Sequence, residues 1–269
     1  MKKFLTTIVA VMMLIVCSLS FVGCGARDLD EIIESGKITV ATNAEFAPFE
    51  SKEGENYVGI DMDIAREIAK ELGVELEIKN MEFDSVITAV QKGQCDLALA
   101  GLTINETRRQ AINFSSAYFG AAQYLIVKAT DTTFDACTTK EQVEAKIATL
   151  SGKATAQVGT TGYFYIIGNA DFGFNGFANI TGVSLDAAVN AAAEVENDRA
   201  LFAVVDDEVA KNLVANNANL KVVDVALSSE EYGIGVNKKS TKLLEKVNEI
   251  LADLIESGRL AEIIATHTA

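Results

Sequence analysis

Apolar positions along this chain recur with two periods. Ile64, Ala65, Ile68, Ala69 and Leu72 repeat at helical spacing and Gly73 follows, which predicts an amphipathic helix over 61–72 ended by a glycine cap. Short apolar runs predict strands over 38–42, 74–78 and 96–100, with helices over 29–35 and 84–92 placed around them. A loop over 43–49 carries the only proline, Pro48. This alternation of strand and helix argues for a parallel sheet. A second unit follows, with strands over 124–127, 153–158, 201–205 and 220–225 and helices over 141–150, 185–196 and 207–216. A strand over 232–236 and closing helices over 242–264 complete the chain. The economical architecture is two α/β lobes joined by two crossing strands, near 118–126 and 226–236.

The first residues do not fit that pattern. Lys2 and Lys3 precede an uncharged apolar stretch, and Gly23-Cys24 closes it, which reads as a secretory signal rather than a fold element. The ending resembles the bacterial lipobox, with Phe21 where leucine is preferred, and implies cleavage before Cys24 and lipid on its sulfur. One lipidated cysteine tethers a protein to a membrane without spanning it. The expected division is therefore 1–23 signal, 24–36 linker and first helix, 37–122 first lobe, 123–226 second lobe, and 227–269 return to the first.

Charge narrows the partners. The formal net charge is −15, and losing Lys2 and Lys3 with no acid takes it to −17. Such a surface suits neither nucleic acid nor anionic lipid. The single histidine, His267, lies at the far end, which argues against a histidine-based metal site or a Ser-His-Asp relay. Cys95 reads as a small buried hydrophobe; pairing with Cys137 is left open.

The candidate chemistry concentrates at 96–109. An apolar run ends in Gly101 and Thr103, and Arg108 follows on the helix predicted to begin at Asn105-Glu106. Carboxyl ends of strands are where α/β sheets bind ligands. There an arginine fork can grip a carboxylate through two hydrogen bonds. A solvated helix arginine fits the spacing equally well. Asp61 and Asp63 read as acids favouring a helix dipole rather than calcium ligands, and Gly159-Thr160-Thr161-Gly162 lacks the lysine of a phosphate loop.

Several segments together carry a resemblance: 41–50, 59–65, 81–84, 101–108, Asn113-Phe114-Ser115, 157–162 and Val204-Val205-Asp206-Asp207. The chain resembles the polar amino-acid-binding proteins of bacterial ABC importers, including those for glutamine, histidine and cystine. The resemblance implies a two-lobe, type II periplasmic-binding-protein-like fold that hinges shut on its ligand, with no cofactor, no metal and no catalysis. It implies that Arg108 takes the ligand carboxylate, helped by backbone N–H groups near Thr103 and Thr161, with Thr160 also among the ligand-binding residues. Asp206, Gly101 and Thr103 would take the ammonium. Phe46 and Phe83 would pack on the aliphatic part, and Asn43 and Gln157 would read the side chain. Asn43 stands where several relatives carry aspartate and Gln157 where some carry lysine, which favours a neutral polar ligand unless Glu45 points inward. The implied partners are a free amino acid and a membrane permease, the implied location is outside the cytoplasm, and the implied state is a monomer. Two rivals remain. One is a cyclohexadienyl or prephenate dehydratase using Glu45, Asp207 or Glu208 as a general acid. The other is a ligand-sensing module for a separate signalling partner.

Overall fold

The computed structural model describes residues 25–268, so Cys24 and the signal expected before it lie outside the described residues. Two five-stranded sheets organise the chain. In the first, Lys37–Thr42 pairs in parallel with Glu75–Asn80 and Leu97–Ala98, with Val40 opposite Leu97. The returning Gly235–Val236 runs antiparallel between Leu97–Ala98 and Asn113–Phe114. The second sheet repeats the design: Gly152–Gln157 pairs in parallel with Ile180–Leu185 and Phe202–Asp206, and Gln123–Lys128 runs antiparallel to Phe202–Asp206. Three parallel strands in each sheet bring their carboxyl ends to one edge. Residues after Thr42, at Gln157 and at Asp206 are placed there by register rather than by chance.

The helix Ile60–Leu72 buries Ile60, Ile64, Ala65, Ile68 and Ala69 against the first sheet, and Gly73 caps it in the left-handed conformation. Asp61 departs from its expected role. It stands in the first turn but caps nothing, and its side chain is wholly buried. In the second lobe, Ile180–Leu185 is an edge strand and its helix begins only at Ala188. Its polar, glycine-containing ITGVSL sequence carries little periodicity, and pairing with Gly152–Gln157 determines it. Thr161–Ile167 is helical although Tyr, Phe and Ile dominate it; the Thr160 side chain accepts from Tyr163 N and supplies the start. The segment expected as a loop before Phe49 contains Glu45–Phe46, the edge of a small antiparallel sheet with Glu50–Glu53 and Asn56–Val58.

The chain passes between the lobes at Phe119–Ala121 and returns at Glu230–Tyr232, which pair antiparallel with Tyr232 opposite Phe119. Tyr232 also bridges to Thr103. Phe49, Phe119 and Tyr232 pack ring against ring beneath this crossing. Cys95 and Cys137 are free thiols, Cys95 buried. Among the described residues no helix is long and apolar enough to cross a membrane, and no cluster of His, Cys, Asp and Glu could hold a metal ion.

Candidate functional site

Asn105 caps the helix Glu106–Ala111 by accepting from Arg108 N at 2.8 Å, and this short helix aims Arg108 inward. The Arg108 side chain is 6% exposed. Its Nη1 donates to Thr103 O at 2.9 Å and its Nη2 donates to Gly159 O, on the facing lobe, at 3.2 Å. The Phe83 ring lies 5.5 Å from the guanidinium carbon, a cation–π distance. Burial lowers the guanidinium below its ordinary range, while Glu230 and Asp206 act in the opposite direction. The solvated reading of Arg108 is thereby excluded.

Asp206 ends the Phe202–Asp206 strand of the other lobe and is equally buried. Tyr232 OH donates to its Oδ1 at 2.5 Å. Burial, reinforced by Glu230, pushes its carboxyl up to about 7, and Tyr232 and Gln123 ease that shift. Glu230 accepts from the Thr103 hydroxyl at 2.7 Å and from Ser228. The Thr161 hydroxyl donates to Thr103 Oγ1 at 3.3 Å across the lobes. Thr160 is turned to local work, donating to Gln157 O while capping its helix.

The other walls come from the strand ends. Phe46 is 6% exposed and packs against Gly101, whose φ of 53° is left-handed and where a Cβ would sit tightly, 3.0 Å from the Phe46 ring and 3.3 Å from Tyr232. Gly101→Ala therefore combines left-handed strain with crowding against the Phe46 and Tyr232 rings. We expect it to weaken ligand binding at least tenfold, measured by titration calorimetry; unchanged affinity would refute the tight fit. At the far end, Asn43 and Gln157 meet each other. Gln157 Nε2 donates to Asn43 Oδ1 at 2.7 Å and to Asp186 O at 2.8 Å, and Asn43 Nδ2 donates to Met81 O at 3.0 Å. Gln157 Oε1 is buried with no partner. Glu45 does not point inward; it is exposed, and slight burial with Asp186 and Glu82 nearby raises its carboxyl.

All ten expected ligand residues thus lie at or beside the meeting edges of the sheets. Arg108, Gly101, Thr103, Phe46, Phe83 and Asn43 come from the first lobe, and Asp206, Gln157, Thr160 and Thr161 from the second. Glu230 and Tyr232 were not anticipated; they stand on the returning strand, and only its antiparallel pairing brings them to the cross-lobe clamp formed by Arg108 and Asp206. An open groove of about 580 Å³ borders the same place. It shares Thr103, Thr161 and Glu230 with the clamp but is not lined by Arg108 or Asp206, so it is a side approach rather than the charged centre.

Residues 38–269 match the family model described as bacterial extracellular solute-binding proteins, family 3. The chain is similar to the arginine-binding extracellular protein ArtP of Bacillus subtilis (strain 168), 27% identical over 265 residues and covering 98% of this chain and 96% of that protein. It is similar to the arginine-bound form of truncated ArgBP from T. maritima, with a TM-score of 0.73 and 36% identity over 84% of this chain and 99% of that one. The ancestral amino acid-binding protein AncCDT-1, a precursor of cyclohexadienyl dehydratase, is similar at a TM-score of 0.78 and 29% identity, over 90% of this chain and 99% of that one.

Proposed function

The chain belongs to the bacterial extracellular solute-binding proteins, family 3, and from that footing we propose that it captures a polar L-amino acid between its lobes and delivers it to the permease of an ABC importer. The observation that carries this reading is the opposition of buried Arg108 and buried Asp206 on facing lobes. A free amino acid presents a carboxylate and an ammonium a few bonds apart, and burying both requires one opposite charge and full hydrogen bonding for each. Arg108 Nη2 exchanges Gly159 O for the ligand carboxylate, and Asp206 pairs with the ammonium beside the Thr103 hydroxyl. Each lobe then holds one end of the ligand, so the ligand favours the closed form by differential affinity. No step of chemistry is required.

Asn43 and Gln157 carry no charge, and the unpartnered Gln157 Oε1 calls for a donor. This supports a neutral side chain bearing N–H groups, such as a carboxamide. A cationic side chain is the second reading. It is favoured by the crowding of Glu45, Glu82 and Asp186 near the same end, and by the binding of arginine named for ArtP. Lipid attachment at Cys24 is part of the proposal. It is supported by the Lys2-Lys3, apolar and Gly23-Cys24 sequence.

Thermal unfolding of the purified protein against each standard amino acid and cystine tests the reading. The cognate ligand at a hundred times its dissociation constant adds about 2.7 kcal/mol of stability. Glutamine shifting the transition more than arginine supports the neutral side chain, and the reverse supports the cationic one. A flat response to every amino acid overturns the proposal, and turnover of prephenate to phenylpyruvate would establish the dehydratase instead. Of the three acids named for that reaction, Glu208 is paired with Lys211 at 2.7 Å and Glu45 is exposed, which leaves Asp207, whose carboxyl is raised by burial.

A further inference from the structure

Behind Gly101, on the side facing the core, stand three buried polar side chains that the clamp does not touch: Glu50, Asp61 and Tyr118. Asp61 Oδ2 accepts from Gly101 N at 2.9 Å, and its Oδ1 accepts from Tyr118 OH at 2.7 Å. Glu50 has no exposed surface, and neither of its oxygens meets a protein donor. The charged group that acts on it most strongly is Asp61, another carboxyl. Two ionised carboxyls do not persist side by side in a dry interior. One proton on Glu50 removes the conflict: Glu50 becomes a donor, and Asp61 receives three hydrogen bonds on its charge.

We propose that Glu50 and Asp61 form a carboxylic acid–carboxylate pair that acts as the positioning device for Gly101, holding its amide from behind so that its carbonyl is presented to the ligand ammonium. This rests on the amino-acid reading above. Gly101 needs such a hold because its backbone is left-handed and wedged between Phe46 and Tyr232. Tyr118 ties the same pair to the crossing strands, since Phe119 follows it directly and Tyr118 N donates to Tyr232 O. Movement at the crossing therefore reaches Gly101 through one carboxylate.

The charges facing the pair agree with this assignment. Burial and Asp61 hold Glu50 well above the usual carboxylate range, with Asp206 adding repulsion from the other lobe. Burial brings Asp61 to about 6 against the pull of Gly101, Tyr118 and Glu50. Tyr118 and Tyr232 are both held well above the ordinary phenol range and stay neutral. Glu230 acts on Asp206, and both act on Arg108. At neutral pH the proton sits on Glu50 and the charge on Asp61.

Difference infrared spectroscopy of the unliganded protein at pH 8, where Asp206 is ionised, reads the acid directly. The carbonyl band of a neutral carboxylic acid is expected in the wild type and absent from Glu50→Gln. In ligand titrations, Glu50→Leu weakens affinity roughly tenfold, and Glu50→Gln, which restores a donor to Asp61, recovers most of that loss. Asp61→Asn removes the lower of two bends in affinity against pH, the one near 6, and leaves the Asp206 bend near 7. A neutral-acid band persisting in Glu50→Gln, or a bend near 6 surviving in Asp61→Asn, overturns the proposal. If no amino acid binds the wild type, the transport reading fails, while the infrared band still decides the pair; should Asp61→Asn not fold, the near-isosteric Glu50→Gln carries the test.

Discussion

Replacing Arg108 with alanine is expected to remove amino-acid binding almost entirely. Truncating one member of a buried, hydrogen-bonded charge pair costs about 2–5 kcal/mol, or roughly thirty- to several-thousand-fold in dissociation constant. The upper part of that range applies here because the ligand carboxylate would be left unpaired in a buried site, where Arg108 is itself 6% exposed. Arg108→Lys restores the charge but not the planar fork, and a lysine cannot reproduce the separate contacts that Nη1 and Nη2 make to Thr103 O and Gly159 O. It should recover only a small part of the loss. Titration calorimetry gives the affinities, and far-ultraviolet circular dichroism checks that both variants retain the α/β fold. Affinity within threefold of wild type in Arg108→Ala would remove the clamp from consideration.

The second large effect is a pH dependence that originates at Asp206. In the unliganded protein its carboxyl is pushed up to about 7, first by burial and then by Glu230. An ammonium group placed against it favours the ionised form, so binding expels a proton wherever the free protein still holds one. Affinity should therefore fall as pH drops below 7, approaching about a tenfold loss per pH unit. Calorimetry in two buffers of different ionisation enthalpy counts the released proton. Asp206→Asn abolishes both the proton release and this part of the slope, and costs about 2–5 kcal/mol of binding. Stability follows with its own sign. Because the folded-state pKa of Asp206 is raised above the unfolded value, its contribution favours the unliganded fold at low pH. That contribution is lost as pH rises through 7. The ligand cancels this penalty, so the thermal shift it produces should grow between pH 5.5 and about 8. A thermal shift independent of pH would mean that Asp206 does not meet the ammonium.

Most of the architecture was legible along the chain, because it rests on nearest-neighbour physics. The apolar spacing that buries Ile64, Ile68 and Ala69, the glycine that ends their helix, and the short runs that become parallel strands are local patterns. The strand end ahead of Arg108 is local too, so that arginine could be named from spacing, whereas Asn43, Gln157 and Asp206 were named only through the resemblance to the amino-acid-binding family. The misses had equally physical causes. Ile180–Leu185 is an edge strand whose polar residues show no period, and Thr161–Ile167 is helical despite its side chains because a cap and burial outweigh propensity.

The sequence by itself determined most of the elements and the two-lobe alternation, and its family resemblance named the side chains that could be offered to a small zwitterion. Only the tertiary structure decided that Arg108 is buried rather than solvated, that Glu45 stays on the rim, and that Tyr232 and Glu230 join the clamp. It alone brought Asp61 behind Gly101 and Glu50 behind Asp61. These groups lie far apart along the chain and share no spacing rule: Tyr118 and Asp61 are 57 positions apart, Thr103 and Glu230 are 127. Their meeting depends on how two sheets and two crossing strands close on one another, and burial at that closure sets the charge each carboxyl carries.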